Sequence, residues 1–110
     1  MRTTKQKGDY YRRKTVNWLK DLGFQVETLE KLQRVYTDGK ILFLKKDIWG
    51  SDLIAMNQDK LVFVQVKLNK KNISSAKIEF NKYIWPKCNK IEKWIVVWTP
   101  KQKQPEVIKL

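Results

Sequence analysis

The spacing of apolar residues predicts a helix near the start of the chain. From Asp9 to Gly23, apolar and aromatic residues recur at three- and four-residue intervals, as on a helix with one buried face. Asp9 is suited to cap the N-terminus of this helix and Gly23 to end it. Residues 1–7 precede it, are polar and carry three positive charges, so we expect a flexible basic arm there.

Strands are predicted through the middle of the chain. The alternating or apolar segments are Phe24–Leu29, Leu32–Tyr36, Lys40–Leu44, Asp52–Met56 and Leu61–Lys67. Asp38-Gly39 lies between the second and third of these segments and is a strong hairpin signal. In the last segment, successive side chains alternate between faces, so Phe63, Gln65 and Lys67 are expected to point the same way.

The C-terminal part of the chain adds a helix and two strands to the prediction. Ser74 or Ser75 can cap a helix that runs to about Trp85, where Pro86 helps to close it. Residues 94–99 form an apolar run typical of a buried strand, and residues 107–110 could add an edge strand. A chain of 110 residues is too short for two cores, so residues 1–110 are expected to form a single α/β domain. Its mixed central sheet would be flanked by helices.

Composition narrows the chemistry. The chain has no His and one Cys, which excludes His-based catalytic triads and zinc fingers and leaves carboxylates and lysines as reactive groups. The net charge of +13 predicts a polyanionic partner, with nucleic acid first, although lysines also keep small domains soluble. We expect a cytoplasmic protein, because no apolar run is long enough for a membrane span and Cys88 cannot form an intrachain disulfide.

Basic residues are concentrated in two segments. Between residues 60 and 90 there are eight lysines and a single acid, Glu79. We expect phosphate contacts from the first helix and from the segment after the last predicted middle strand, through Arg12, Arg13, Lys14, Lys70 and Lys71. The alternative is that these residues form a solvated helix face and loop.

Three residues form a candidate site for phosphodiester hydrolysis. A short turn makes their strands antiparallel, so Asp52 at the start of one can lie beside Gln65 near the end of the next. Mg²⁺, or Mn²⁺ in its place, could be held by Asp52, the Gln65 side-chain oxygen and the main-chain carbonyl of Val66. Lys67 would add a fixed positive charge. Alternatively, Asp52 is a turn residue and the other two form a solvated strand end.

Longer motifs surround these residues. The segments are Gly-x-x-Tyr-x-Arg from Gly8, Gly-Phe-x-Val from Gly23, Asp-Ile-Trp-Gly-x-Asp-Leu-Ile-Ala from Asp47 and Val-Phe-Val-Gln-Val-Lys from Val62. Together they resemble the PD-(D/E)xK nucleases, in particular archaeal-type Holliday junction resolvases. The resemblance implies a restriction-endonuclease-like core, Mg²⁺-dependent endonuclease activity on branched or duplex DNA, and a two-fold homodimer. Asp52 and Lys67 match the metal-binding Asp and the catalytic Lys of that family.

The chain departs from this family at two positions. Gln65 stands where the family has a Glu, and Arg12 stands where the resolvases place a metal-binding Glu. Asp9 or Asp47 could supply the missing carboxylate, or none does. A competing interpretation is therefore a DNA-binding module on the same fold with weakened or lost cleavage, and another is a small RNA-associated basic protein. Trp49 could stack on an unpaired base, although packing beneath the loop is favoured.

Overall fold

The fold is known from a computed structural model that describes residues 4–69, 73–100 and 103–110, with the side chains in these ranges except those of 4–7, 30–33, 35 and 42–47. The elements in chain order are α1 (Thr4–Asp21), β1 (Gln25–Thr28), β2 (Glu30–Thr37), β3 (Lys40–Asp47), β4 (Leu53–Met56), β5 (Leu61–Leu68), α2 (Ile73–Asn81), β6 (Ile91–Trp98) and β7 (Glu106–Lys109).

A five-stranded mixed sheet forms the centre of the fold, with strand order β1-β4-β5-β6-β7. The neighbours pair antiparallel except for β5 and β6, which are parallel. Two parallel strands need a crossover connection, and the segment that contains α2 provides it. The predicted fold class, a mixed central sheet flanked by helices, is confirmed.

The two faces of β5 contribute to two different apolar clusters. Val62 and Val64 are fully buried in a cluster that includes Leu19 of α1. Phe63 lies in a second cluster with Phe80 of α2. Each helix therefore covers one face of the sheet, and the alternation predicted along β5 is confirmed. Because Gln65 is two residues beyond Phe63, it belongs to the face covered by α2.

Helix α1 begins earlier than predicted. Its first residue is Thr4, so Asp9 lies inside the helix and does not cap it, and residues 4–7 are helical where a flexible arm was predicted. Residues 1–3 lie outside the described residues. Gly8 weakens a helix by about 1 kcal/mol relative to Ala, which is too little to end it. Gly23 ends the helix region as predicted, with a positive φ of 96°.

Helix α2 ends at Asn81, before the predicted end at Trp85. The Trp85 indole N–H donates a hydrogen bond to the carbonyl oxygen of Phe80 at 2.8 Å. The same carbonyl also accepts a hydrogen bond from the Tyr83 main-chain N–H at 3.3 Å, so two residues beyond the helix close its last turn. Pro86 disfavours a helical backbone at the residue before it, so the chain leaves the helix before Trp85.

The hairpin β2–β3 forms a two-stranded sheet of its own, separate from the central sheet. Its turn is the predicted one, because both Asp38 and Gly39 have positive φ, of 49° and 72°. Tyr36 and Ile41 are paired across the hairpin and are both exposed. Within the described ranges, neither helix is apolar enough over a sufficient length to cross a membrane.

Candidate functional site

Asp52 is held by hydrogen bonds to β5 and to Leu29, the residue that follows β1. One carboxylate oxygen accepts a hydrogen bond from the Val66 main-chain N–H at 2.8 Å. The Asp52 main-chain N–H donates to the Val64 carbonyl at 2.9 Å, and its own carbonyl accepts from the Leu29 N–H at 2.9 Å. The residue is only 9% exposed. Its carboxylate is therefore fixed beside β5, at the point where β4 begins.

A tight turn leads into Asp52. Ile48 and Ser51 form an isolated antiparallel bridge, and the Ser51 N–H donates to the Ile48 carbonyl at 2.9 Å. Between them, Trp49 and Gly50 have positive φ values of 53° and 72°. The left-handed conformation costs a residue such as Trp49 about 1–2 kcal/mol. The surrounding structure must therefore stabilise this turn.

Helix α2 fixes the position of this turn from the other side. A Cβ atom added to Gly50 would lie 3.2 Å from both the carbonyl carbon and the oxygen of Glu79. This approach is tighter than most Cβ contacts in proteins, so the turn and α2 pack closely, backbone to backbone. Glycine is needed at this position both for its positive φ and for this contact.

Gln65 is buried next to Asp52 and has an unsatisfied oxygen. Leu53 is paired with Val64, so Asp52 and Gln65 are the next residues outward on the two chain segments. Gln65 is 3% exposed, and its side-chain oxygen has no hydrogen-bond partner. A buried acceptor without a partner costs about 1–3 kcal/mol. A hydrogen-bond donor or a cation at this oxygen would remove that cost.

Lys67 is two residues beyond Gln65 on β5 and is half-buried. It is paired in register with Val97 of β6. The strand alternation directs Gln65 and Lys67 to the same face. The structure thus brings Asp52 next to the segment from Gln65 to Lys67, as the sequence suggested, while the catalytic and metal-binding roles of these residues stay predictions.

The missing carboxylate, for which Asp9 and Asp47 were the candidates, is not provided by the described side chains. Asp9 lies on α1 and forms an ion pair with Arg12, with 3.4 Å between the carboxylate oxygen and the guanidinium nitrogen. The side chain of Asp47 lies outside the described residues. Among the side chains that the structure describes, no group of three or more His, Cys, Asp or Glu is arranged to hold a metal ion.

The predicted phosphate-binding residues differ in their accessibility. Arg13 is exposed on α1, whereas Arg12 is half-buried. The ammonium group of Lys14 lies 4.6 Å from the centre of the Trp98 ring, in a cation–π contact. Lys70 and Lys71 lie outside the described residues. Of the five predicted contacts, Arg13 is therefore the one that the structure describes as exposed.

Two other lysines have acidic partners. Lys82 donates a hydrogen bond to Glu79 at 2.9 Å, and this bond raises the pKa of Lys82. Lys60 lies 3.1 Å from a carboxylate oxygen of Glu92. The hydrogen bond from the Trp94 indole, followed by the contact with Lys60, lowers the pKa of Glu92. Both lysines are engaged in these pairs, so they are less available for phosphate contacts than unpaired lysines would be.

An apolar pocket next to the turn was not predicted from the sequence. It has a volume of about 320 Å³, and its lining includes Trp49, Leu61, Phe63, Tyr83, Trp85 and Ile91. The sequence favoured packing of Trp49 beneath the loop. In the structure Trp49 is 51% exposed, so it is not fully packed there. The only hint of the pocket in the sequence is that two of its aromatic residues lie close to candidate site residues, Trp49 to Asp52 and Phe63 to Gln65. The sequence did not predict that Trp85 lines the pocket, because the position of Trp85 depends on where α2 ends.

Comparisons with known proteins concern mainly the fold. No protein-family model matches the sequence, and no curated protein matches it significantly. Among solved structures, the chain is similar to a protein designated SSO0001, with 18% identity and a TM-score of 0.56 over 99% of this chain and 52% of that one. It thus spans about half the length of that protein. It is also similar to the Holliday junction resolvase Hjc of Archaeoglobus fulgidus, an archaeal hyperthermophile, with 16% identity and a TM-score of 0.48 over 87% and 73% of the two chains.

Proposed function

We propose that this protein is a metal-dependent endonuclease that hydrolyses DNA phosphodiester bonds, with a Holliday junction resolvase-like site. The observation that carries the proposal is the buried, unpaired oxygen of Gln65 on the strand beside Asp52, whose carboxylate is anchored on the main-chain N–H of Val66. The motifs around Asp52 and Lys67, which resemble those of the PD-(D/E)xK nucleases, support it. The restriction-endonuclease-like name for the fold is part of the same proposal.

The donor atoms fit a weakly charged Mg²⁺ or Mn²⁺ site. Mg²⁺ prefers oxygen ligands, and the candidates are the Asp52 carboxylate, the Gln65 amide oxygen and the Val66 carbonyl. The N–H and C=O of one strand residue point to the same side of the strand, and the Val66 N–H points to Asp52. We therefore expect the Val66 carbonyl to point to the same edge. One carboxylate and two neutral oxygens would bind the ion weakly.

Each residue of the site would have a separate role in phosphodiester hydrolysis. A bound metal ion would supply an activated water and neutralise charge on the phosphate. Asp52 contributes the negative charge of the site, and its hydrogen bond from Val66 holds the carboxylate in one orientation. Lys67 stabilises the negative charge that develops on the phosphate. Arg13 and the other basic residues attract the DNA backbone.

A DNA-binding module without cleavage is the second candidate function. It is favoured by the neutral side chain of Gln65 and by the ion pair between Asp9 and Arg12, which occupies the nearest alternative carboxylate on α1. It also agrees with the lack of a three-acid group among the described side chains. This module would bind DNA with the same basic residues and would respond little to metal ions.

The resemblance extends the proposal to substrate shape and assembly, and the sequence extends it to location. We expect branched DNA as the substrate and a homodimer that presents two sites. A dimer would allow two strands of a junction to be cut in one encounter. We also expect a cytoplasmic location, where such DNA would be available to the enzyme.

Cleavage of a labelled four-way junction and of its linear arms, with Mg²⁺ or Mn²⁺, tests the function. Asp52→Asn keeps an oxygen that can accept the Val66 hydrogen bond but removes the charge, so we expect a loss of cleavage of about 100-fold or more with the fold retained. Lys67→Ala should have a similar effect. Asp59→Ala, in an exposed turn, and Lys40→Ala, at the exposed start of β3, are the matched controls and should cut normally.

The outcomes separate the two candidate functions. Cleavage by the wild type that is lost in both site variants supports the endonuclease. Salt-sensitive binding without cutting, in both metals, supports the binding module. Cleavage that survives both Asp52→Asn and Lys67→Ala would falsify the assignment of the site. Tighter binding to RNA than to DNA would favour an RNA-associated protein.

A further inference from the structure

We propose that the Trp49–Trp85 pocket, the apolar cavity lined by Trp49, Leu61, Phe63, Tyr83, Trp85 and Ile91, receives an unstacked nucleobase of the bound DNA. The inference rests on the proposed function, because it assumes that DNA binds at the adjacent site. It goes further by assigning a place for a base. The pocket has a volume of about 320 Å³, which lies near the lower end of the range for small-molecule sites, about 300–1,000 Å³.

Aromatic rings form the walls of the pocket. The Trp49 ring lies 5.7 Å from the ring of Phe63, and the Trp85 ring lies 4.9 Å from it, with both pairs in edge-to-face arrangements. Trp85 is held in place by its hydrogen bond to Phe80. These contacts give the pocket a preformed shape. Every nucleobase has a flat aromatic face, so such walls can stack on a base without reading its identity.

Exposure indicates that the pocket is open to a ligand. Trp49 is 51% exposed, and Ile84 at the rim is fully exposed. Trp49 also has a left-handed backbone conformation, with φ of 53°. Large side chains in this conformation are uncommon and occur often where a ligand is bound. A side chain needed only for packing would gain more from being buried than Trp49 does here.

The pocket adjoins the proposed cleavage site. Phe63 precedes Gln65 by two residues on the same face of β5, which separates their Cα atoms by about 7 Å. Trp49 precedes Asp52 by three residues, across the tight turn. A phosphate at Asp52 would therefore bring the base of a neighbouring nucleotide within reach of the pocket. Bases that are unpaired at a branch or in a single strand can enter without the cost of disrupting a duplex.

The charge around the pocket matches a nucleotide. Exposed Lys87 and Lys90 lie on the segment that connects Trp85 to β6. The Lys93 ammonium lies 5.5 Å from the centre of the Trp85 ring. Apolar walls with positive charge near them suit a ligand that combines a flat apolar base with a phosphate. An uncharged peptide would contact only the apolar walls and would gain nothing from the nearby lysines.

The test compares two labelled oligonucleotides of equal length in buffer without divalent metal. One carries thymine at every position and the other is abasic, so both present the same phosphates. We expect the wild-type chain to bind the thymine oligonucleotide about 10-fold more tightly, because base–aromatic stacking is lost in the abasic one. Trp49→Gly removes the ring and suits the positive φ, and it should reduce this preference to near unity.

Three further measurements make the result specific. Trp49→Phe keeps an aromatic wall and should retain part of the preference. Tyr36→Ala removes an exposed aromatic ring from the hairpin and is the matched control, so its preference should equal that of the wild type. The Trp49→Gly variant should bind the abasic oligonucleotide as the wild type does, since the phosphate contacts are unchanged.

Several outcomes would overturn the inference. These are equal binding of both oligonucleotides by the wild type, a preference that survives Trp49→Gly, and a change of oligomeric state in Trp49→Gly without a change in preference, which would assign the pocket to a protein contact. If the junction is cut while the preference is missing, the pocket assignment fails and the endonuclease stands. If no DNA or RNA is bound at all, both fail.

Discussion

At Gln65 the side chain carries a neutral amide where the nucleases that the sequence resembles carry a carboxylate. The burial of this residue gives the difference a physical consequence. A carboxylate at this position would be a second negative charge beside Asp52, and desolvation would make the pair costly without a cation. The amide avoids that cost and leaves one unpaired oxygen instead. Gln65 thus allows the site to remain folded without metal.

Gln65→Glu should make the stability of the protein depend on divalent metal. We expect the free energy of unfolding to fall by about 1–3 kcal/mol in chelator, because a second buried charge lacks a partner, and to recover in Mg²⁺. Urea denaturation in both conditions measures this. Gln58→Glu, on an exposed turn, is the control and should respond to metal as the wild type does. Equal stability of Gln65→Glu in chelator and Mg²⁺ would contradict a metal site at this position.

Gly50 and its neighbours show how far a single residue could be interpreted from the sequence. The antiparallel arrangement of Asp52 and Gln65 was predictable, because a short turn between two strands allows no other. The contact between Gly50 and Glu79 was not, because it depends on where α2 packs against the turn. Long-range backbone contacts of this kind leave no local pattern in the sequence. The left-handed Trp49 escaped prediction for the same reason.

Between elements, the contact of the turn at Gly50 with α2 can be tested directly. Gly50→Ala adds a Cβ atom 3.2 Å from the Glu79 backbone, whereas Gly39→Ala has the same φ of 72° and nothing within 4 Å. Both variants pay about 1–2 kcal/mol for the left-handed conformation. We expect Gly50→Ala to lose about 1 kcal/mol more, from overpacking. Urea denaturation measures both, and equal losses would show that the turn and α2 do not pack closely.

Most elements followed from local patterns, and the errors lie where tertiary contacts decide. Strand β5 was predicted well, because successive side chains of a strand point to opposite faces, and here both faces are buried in apolar clusters. The end of α2 was placed too late, since the Trp85 hydrogen bond that closes its last turn is not a sequence pattern. The separate sheet formed by β2 and β3 was also missed. The turn sequence predicts that β2 and β3 pair with each other, but it does not indicate whether the hairpin joins the central sheet.

For the whole molecule, the net charge of +13 matters more than any single contact. A charge of this size attracts DNA from a distance and adds affinity that salt weakens. Local contacts then determine which basic side chains are available to bind phosphate. Lys82 is hydrogen-bonded to Glu79, and Lys60 lies against Glu92, so these two lysines are less available to phosphates. Arg13 is exposed on α1 and is the clearest candidate for a direct phosphate contact.

The salt dependence of DNA binding can therefore separate Arg13 from the general charge. The logarithm of the binding constant should fall linearly with the logarithm of the salt concentration, and each phosphate contact adds about 0.9 to the slope. Arg13→Ala should weaken binding equally for all sequences and lower the slope by about 1. Lys40→Ala removes the same charge from the exposed start of β3 and should leave the slope unchanged. If Lys40→Ala lowers the slope as much as Arg13→Ala, the affinity arises from the diffuse charge of the molecule, and α1 has no special place in binding DNA.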